Sequence, residues 1–458
     1  MPGSTKTSRP RRPGLKRGLT LGSCLALTTA LVGLPASAAD DPAPVLVPTP
    51  IVDSQVPEQS AAVVASRIQK LATDKMMGKK AGTIVIDPGS QETLYNDDAG
   101  AALIPASSMK IPTAVAVLRQ LGANTRISTT TALKPNSTDL FIIGGGDPLL
   151  DSGQFKKDPA SPGYPETTSM NALAKKTSAQ LQERGVTEIT LKFDASLFTG
   201  PDWNPDWPTY FRGQGIVSPV QALMVDDAQL ARFGSRGENP AAMAGNRFAE
   251  LLRKTGIKVG AVNAGTAPAD AEQLADVKSV PVYELVGQML STSDNDTAEA
   301  LFRLAGVGAG TGGSFQGGAR AESQALQDLG ISTVMANFSD GSGLSKDNRV
   351  SPVMLAEILA RVVRAEDELW PISSGLAVAG VSGTLKGRFA TVQTQKAAGL
   401  VRAKTGTLIS VSSLSGFVQS RSGRVLVFAT VANEADSSFE AATVMDRIAA
   451  TIAACGCQ

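Results

Sequence analysis

Three short polar motifs, set far apart along the chain, constrain its fold more than any other feature: Ser107-Ser108-Met109-Lys110, Ser293-Asp294-Asn295 and Lys404-Thr405-Gly406, in that order. Together they spell one serine acyl-transfer site with lysine as base, so the fold has to bring segments from the first quarter, the middle and the end of the chain to a single place. The 458 residues include no histidine. That absence excludes a Ser-His-Asp triad, Cys-His nucleophiles and His-ligated metals, and leaves lysine as the amine able to activate a serine. A serine hydroxyl is a poor nucleophile at its free pKa and needs a base within hydrogen-bond reach, a role Lys110 can fill three residues after Ser107. Burial and a second cation both favour a neutral lysine, and Lys404 is expected to be that cation. Ser-x-x-Lys alone is a common chance match; its weight here comes from the other two motifs.

Residues 1 to 39 read as an export signal: Lys6, Arg9, Arg11, Arg12, Lys16 and Arg17 precede an apolar stretch from Leu19 to Leu34, and Ala36-Ser37-Ala38 offers a cleavage site. A retained anchor helix is the weaker reading, because Gly22, Gly33 and Pro35 break a stretch that is already short. Arg11-Arg12 is only a partial twin-arginine pattern, interrupted by Pro13 and Gly14, and Cys24 sits inside the apolar run instead of ending it, so the export route stays open. Export predicts an extracytoplasmic protein, secreted or held in the envelope, and is compatible with peripheral membrane or cell-wall association. Without the six basic residues of this leader the chain keeps 37 basic against 42 acidic side chains, a formal charge of −5 that argues against a nucleic-acid partner. Cys455 and Cys457 remain, either as a C-x-C disulfide in an oxidising compartment or as part of a loose tail.

Hydrophobic spacing divides the rest. A Pro- and Val-rich linker at 40–54 leads to helical periodicity from Ala61 to Met77, then to a hairpin of Thr83 to Ile86 and Thr93 to Tyr95 across an Asp87-Pro88-Gly89-Ser90 turn. The first motif runs into an apolar helix that ends at Gly122. Either that helix starts at Ser107 and is kinked at Pro112, or it starts near Pro112 and the motif forms a tight preceding turn; both put Ser107 and Lys110 on one side. Short strand-like runs such as Asp139 to Ile143 and Ile189 to Phe193 mark a Gly-, Pro- and Thr-rich region as a β-rich insert at 126–278. Past Asn295, helices are expected over Thr297 to Leu304 and Arg320 to Leu329. Strands are expected over Val401 to Leu408, Ser412 to Val418 and Arg424 to Val431, before a final helix with a capping box at Ser437 and Glu440. The core domain thus comprises 55–125 and 279–458, an α+β arrangement of antiparallel strands packed by helices.

The ordered triplet Ser-x-x-Lys, Ser-Asp-Asn and Lys-Thr-Gly is the joint signature of the active-site-serine penicillin-recognising enzymes. With the long insert after its first motif, the chain resembles low-molecular-mass class C penicillin-binding proteins, the D-alanyl-D-alanine carboxypeptidase/endopeptidases. The resemblance covers most of the mature chain, taking in Gly144-Gly145-Gly146-Asp147-Pro148, Asp194-Ala195-Ser196-Leu197-Phe198, Leu223-Met224-Val225-Asp226, Asp340-Gly341-Ser342-Gly343-Leu344-Ser345, Val381-Ser382-Gly383-Thr384-Leu385 and Arg402 to Thr407.

It implies a transpeptidase/β-lactamase-like fold, peptidoglycan stem peptides as substrate, β-lactams as covalent inhibitors, and neither cofactor nor metal. It further implies that Ser107 attacks the carbonyl between the last two D-alanines while Lys110 accepts its proton, and that Ser293 relays a proton to the departing amine. Asn295 would bind the substrate backbone, and Lys404, Thr405 and Thr407 its carboxylate. The backbone N–H groups of Ser107 and Thr407 would form the oxyanion hole. Asp194 and Lys346 are implied contacts for the third side chain of the stem peptide, although Lys346 stands where the family has arginine and lacks its bidentate grip.

Two competing readings follow. A class A β-lactamase would need a Glu-x-x-Leu-Asn loop between the second and third motifs; Glu366-Asp367-Glu368-Leu369-Trp370 comes nearest and ends in tryptophan. A non-catalytic wall-binding scaffold would keep the fold without turnover.

Overall fold

Two sheets organise the chain, and the larger one is closed by the pairing of its early and late segments. The computed structural model describes residues 60–155 and 167–455; the leader, the 40–54 linker and Cys457 lie outside them. The main sheet has six antiparallel strands in the order Ala377–Val378, Val401–Leu408, Val411–Gln419, Val425–Asn433, Lys80–Ile86 and Thr93–Asp97. The hairpin near the N-terminus therefore lies beside the three strands expected near the C-terminus, with Val85 opposite Phe428.

Strand Val425–Asn433 is buried along its whole length, and its side chains alternate between two cores. Leu426, Phe428 and Ala432 pack with Val64 and Ile68 of helix Ala61–Ala72 and with Val444, Met445 and Ile448 of helix Ser438–Ala454. Val427, Ala429 and Val431 face the opposite way, into the core that holds helices Lys110–Leu121, Val282–Thr292, Asn295–Gly308, Phe315–Asp328 and Pro352–Val363. A strand with both faces covered reads as a continuous apolar run, which is how Val425 to Ala432 reads apart from Thr430, whose hydroxyl is hydrogen-bonded to that of Thr83.

Helix periodicity overshot at one end and undershot at another. The first helix stops at Ala72, and Asp74 then caps a separate 3₁₀ turn at Lys75–Met77 by accepting from the Met76 N–H. The helix expected from Arg320 begins five residues earlier, at Phe315, where the Ser314 side chain accepts from Gly317 N–H.

The second sheet, of five strands, runs in the order Lys258–Ala264, Glu188–Asp194, Asp139–Ile143, Arg126–Leu133 and Glu272–Pro281. Its Glu188–Asp194 strand is parallel to both neighbours, and the other pairings are antiparallel. Parallel neighbours need crossovers, supplied by helices Met170–Glu183 and Pro240–Lys254. Sequence reading had not placed these two helices. The second carried a usable signal, since Asn239 caps it by accepting from Ala242 N–H and Pro240 is its first residue.

Candidate active site

Each of the three motifs sits at the end of an element or inside a sheet, where its backbone is held from several sides. Ala106–Met109 forms a 3₁₀ turn that continues directly into helix Lys110–Leu121. Pro112 is the third residue of that helix, where its missing N–H would have had no intrahelical acceptor. The turn is tied to strand Val411–Gln419: Ser413 Oγ donates to the Pro105 carbonyl (2.7 Å) and shares a hydrogen bond with Ser108 Oγ (2.8 Å). Ala106 takes φ 47°, a left-handed conformation that costs an L-residue about 1 kcal/mol or more.

Two glycines make room for the turn. A Cβ on Gly406 would fall 2.9 Å from Ser107 N and 2.3 Å from Ser413 Oγ, and one on Gly343 would fall 1.9 Å from the Ala106 carbonyl oxygen. The glycine of Lys-Thr-Gly thus lets the strand pass beside the serine backbone.

The second motif is a helix-to-helix joint in which every residue has a local task. Ser293 ends helix Val282–Thr292 in a left-handed conformation (φ 62°), and Asp294 caps the next helix by accepting from Thr297 N–H (2.9 Å). Asn295 is the first residue of that helix. Its Nδ2 donates to the Ile216 carbonyl (2.9 Å), which turns Oδ1 toward Lys110.

Lys110 is fully buried, and its Nζ has three acceptors: Ser107 Oγ at 3.1 Å, Asn295 Oδ1 at 2.8 Å and the Ser342 carbonyl at 2.7 Å. Burial lowers its pKa to about 8, against the opposing pull of Glu299, Asp340, Asp294 and Asp296. Lys404, also fully buried, donates to Ser293 Oγ (2.9 Å) and to the Thr405 carbonyl (2.8 Å). Its pKa is pushed well below the ordinary lysine value, first by burial and then by the charge of Lys110. The sequence reading had the charge of Lys404 favouring a neutral Lys110; in the folded protein desolvation is the first cause for both lysines, and the repulsion between them, which is mutual, comes after it. Thr405 Oγ1 donates to Thr384 Oγ1 (2.8 Å), while Thr407, two residues on, is exposed.

Ser107, Lys110 and Asn295 therefore form one hydrogen-bonded cluster, and Ser293, Lys404, Thr405 and Thr384 form another. The close approach of Gly406 to Ser107 N brings the two together. Asp194 lies apart, on the wall of a cavity of about 650 Å³ with Phe198, Gln221, Asn239 and Arg303. Its two carboxylate oxygens accept from the Ser196 and Ala267 N–H groups, at 2.9 and 2.7 Å. Lys346 is exposed on the segment that follows Ser345. Four residues that hold the site were not singled out from the sequence: Ser342, Thr384, Ser413 and Glu299. The first two lie inside motif segments that had been noted, whereas Ser413 and Glu299 carry no sequence signal beyond being polar in apolar surroundings.

A half-buried serine hydrogen-bonded to a buried lysine at a helix start, beside a Lys-Thr-Gly strand of an antiparallel sheet, defines a serine acyl-transfer enzyme with the penicillin-binding, β-lactamase-like fold. The profile of the D-Ala-D-Ala carboxypeptidase 3 (S13) family matches residues 64–232 and 227–454. The chain is 35% identical over 415 residues to carboxypeptidase Rv3627c of Mycobacterium tuberculosis, covering 89% of this chain and 87% of that protein. It is 30% identical over 447 residues to the D-alanyl-D-alanine carboxypeptidase of Actinomadura sp. (strain R39), covering 82% and 81%. Among solved structures, penicillin-binding protein 4 of Haemophilus influenzae superposes with a TM-score of 0.69 at 23% identity, over 84% of this chain and 97% of that one. The same protein complexed with a β-lactam gives a TM-score of 0.67.

The chain belongs to the D-Ala-D-Ala carboxypeptidase 3 (S13) family, and it is a serine-type carboxypeptidase, a hydrolase of peptidoglycan. Enzymes of this family work on the cell wall, which places its action outside the cytoplasm.

Proposed function

We propose that Ser107 is the nucleophile and Lys110 its general base. The arrangement around Lys110 Nζ carries this reading. A neutral lysine amine has two N–H bonds and one lone pair; Asn295 Oδ1 and the Ser342 carbonyl can only accept, so both N–H bonds point to them and the lone pair is left for the Ser107 hydroxyl. Burial supplies the neutral amine near physiological pH.

In the forward step the Ser107 O–H bond breaks, its proton moves to Lys110, and Oγ attacks the carbonyl of the penultimate D-alanine. Backbone N–H groups of Ser107 and Thr407 receive the developing oxyanion. Ser293, hydrogen-bonded to Lys404, passes a proton to the departing D-alanine amine, and water then hydrolyses the ester on Ser107. Asn295 also accompanies the substrate backbone. Lys404 meets the terminal carboxylate together with Thr405 and Thr407, and an arriving carboxylate raises the affinity of Lys404 for its proton, restoring the charge that burial suppresses.

Penicillins, whose β-lactam carbonyl is attacked in the same way, acylate Ser107 and leave slowly. Cleavage of cross-links, an endopeptidase action, uses the same centre. Residues 126–278 act as an accessory domain, with Asp194 and Lys346 contacting the third side chain of the stem peptide, and 1–39 is removed on export.

The test is intact-mass spectrometry of the mature protein incubated with a reporter penicillin. A long-lived adduct is expected on the wild type and none on Ser107→Ala, and Lys110→Ala should acylate at least about 100-fold more slowly. Rapid return to free mass with drug consumed would make the protein a β-lactamase. No adduct at all would make it a wall-binding scaffold.

A further inference from the structure

The residue whose carbonyl accepts from Lys110 is held through its own N–H by a buried acid that the reaction as described does not use. Glu299 lies one turn after Asn295 on helix Asn295–Gly308 and is fully buried. Its Oε1 accepts from Ser342 N–H at 2.7 Å and its Oε2 from Gly341 N–H at 3.3 Å. Ser342 then presents its carbonyl to Lys110 Nζ at 2.7 Å, so two hydrogen bonds separate the Glu299 carboxylate from the base.

The neighbouring polar groups brace the same short loop. Asp340 accepts from Gly343 N–H (2.7 Å) and Ser345 N–H (2.6 Å), and Thr113, on the helix of Lys110, donates to the Gly341 carbonyl (2.9 Å).

We propose that Glu299 is a positioning residue for proton transfer from Ser107: it anchors the Gly341 and Ser342 N–H groups, so that Ser342 is fixed with its carbonyl on Lys110, and its carboxylate supplies the buried negative charge that Lys110 needs as it becomes an ammonium. This rests on the reading of Ser107 and Lys110 given above. In that step the Ser107 O–H bond breaks, an N–H bond forms on Lys110, and the oxygen electron pair goes into the new bond to the substrate carbonyl. The ammonium so formed is fully buried, and an unpaired charge there is costly.

Other charges face the same region. Lys110 comes from the helix after the serine turn, Asp340 from the glycine loop, Glu322 from helix Phe315–Asp328 and Arg303 from the same helix as Glu299, while Asp294 and Asp296 act on Lys110 from the second motif. Burial and the charge of Asp340 raise the Glu299 pKa to about 8, against the pull of its hydrogen bonds to Ser342 and Gly341, so its negative charge is in place above about pH 8, the range in which Lys110 is also unprotonated and able to act as base.

The experiment measures the pseudo-first-order rate of acylation by excess reporter penicillin against pH, for wild type, Glu299→Gln and Glu299→Asp. A rate constant taken from the approach to saturation is independent of how much protein fails to fold. Gln keeps the reach and loses the charge: its rate is expected to fall about 10- to 100-fold, with the acidic limb of the profile displaced to lower pH, because the anion that raises the Lys110 pKa is gone. Asp keeps the charge and is one methylene too short for Ser342 N–H: its rate is expected to fall with the limb at its wild-type position.

Equal losses in both variants with no displacement of the limb would reduce Glu299 to a structural group and overturn the proposal. Wild-type behaviour in Glu299→Gln would do the same. Failure of the wild type to be acylated on Ser107 would instead overturn the underlying assignment.

Discussion

The chemistry of Lys110 depends on where its neighbours end, a matter of single atoms. Two acceptors that cannot donate leave its lone pair one direction, and burial brings the proton off near pH 8. A base must be unprotonated to act, so penicillin acylation is expected to rise with pH through about 8 and level off above it, a profile that stopped-flow or mass-based rates across pH 6 to 10 would check. A flat profile would remove Lys110 as base. Residue types and order made Ser107, Lys110, Ser293 and Lys404 legible in the sequence. Glu299 was not, because one glutamate in an amphipathic helix looks like any solvated one until its burial is known. Nor did the sequence reveal that burial is the first cause of the lowered pKa of both lysines, because desolvation is set by packing.

Ser-Asp-Asn works as an element boundary as much as a set of functional groups. Ser293 terminates one helix in a left-handed conformation, Asp294 starts the next, and this bend turns the Ser293 hydroxyl toward Lys404 while Asn295 faces Lys110. Replacing the cap, Asp294→Ala, is expected to cost roughly 1 kcal/mol of stability by chemical denaturation. It should slow acylation as well, since both flanking residues lose their fixed pose; a stability loss with unchanged acylation would separate cap from site. Strands were the most legible elements: Val401–Leu408 has the expected bounds, and the neighbouring two differ by a residue or two. Their alternating or continuous apolar patterns are short and bounded by turns. The helices of the insert were obscured by surface-rich composition; helix Met170–Glu183 buries Leu173, Ala174, Thr177 and Leu181 but shows lysines and glutamines elsewhere.

The whole molecule is held by contacts between distant parts of the chain. Helix Ser438–Ala454 packs with helix Ala61–Ala72 over Leu414, Leu426 and Phe428 of the main sheet. Truncation before Ser437 would expose that apolar face, and the shortened chain is expected not to fold, with lost near-ultraviolet circular dichroism and no penicillin adduct. A soluble, acylated truncation would show that the sheet is stable with one face open. By itself the sequence determined the reaction class, through a serine-lysine motif set in a chain without histidine, and most strands of the main sheet, through short apolar runs bounded by turns. Only the tertiary structure decided which groups surround each lysine, which carboxylates are buried beneath them, and which backbone carbonyl accepts from Lys110. Ser107 and Lys110 are three residues apart and their relation is local, whereas desolvation and charge coupling arise between groups that packing brings together from distant positions.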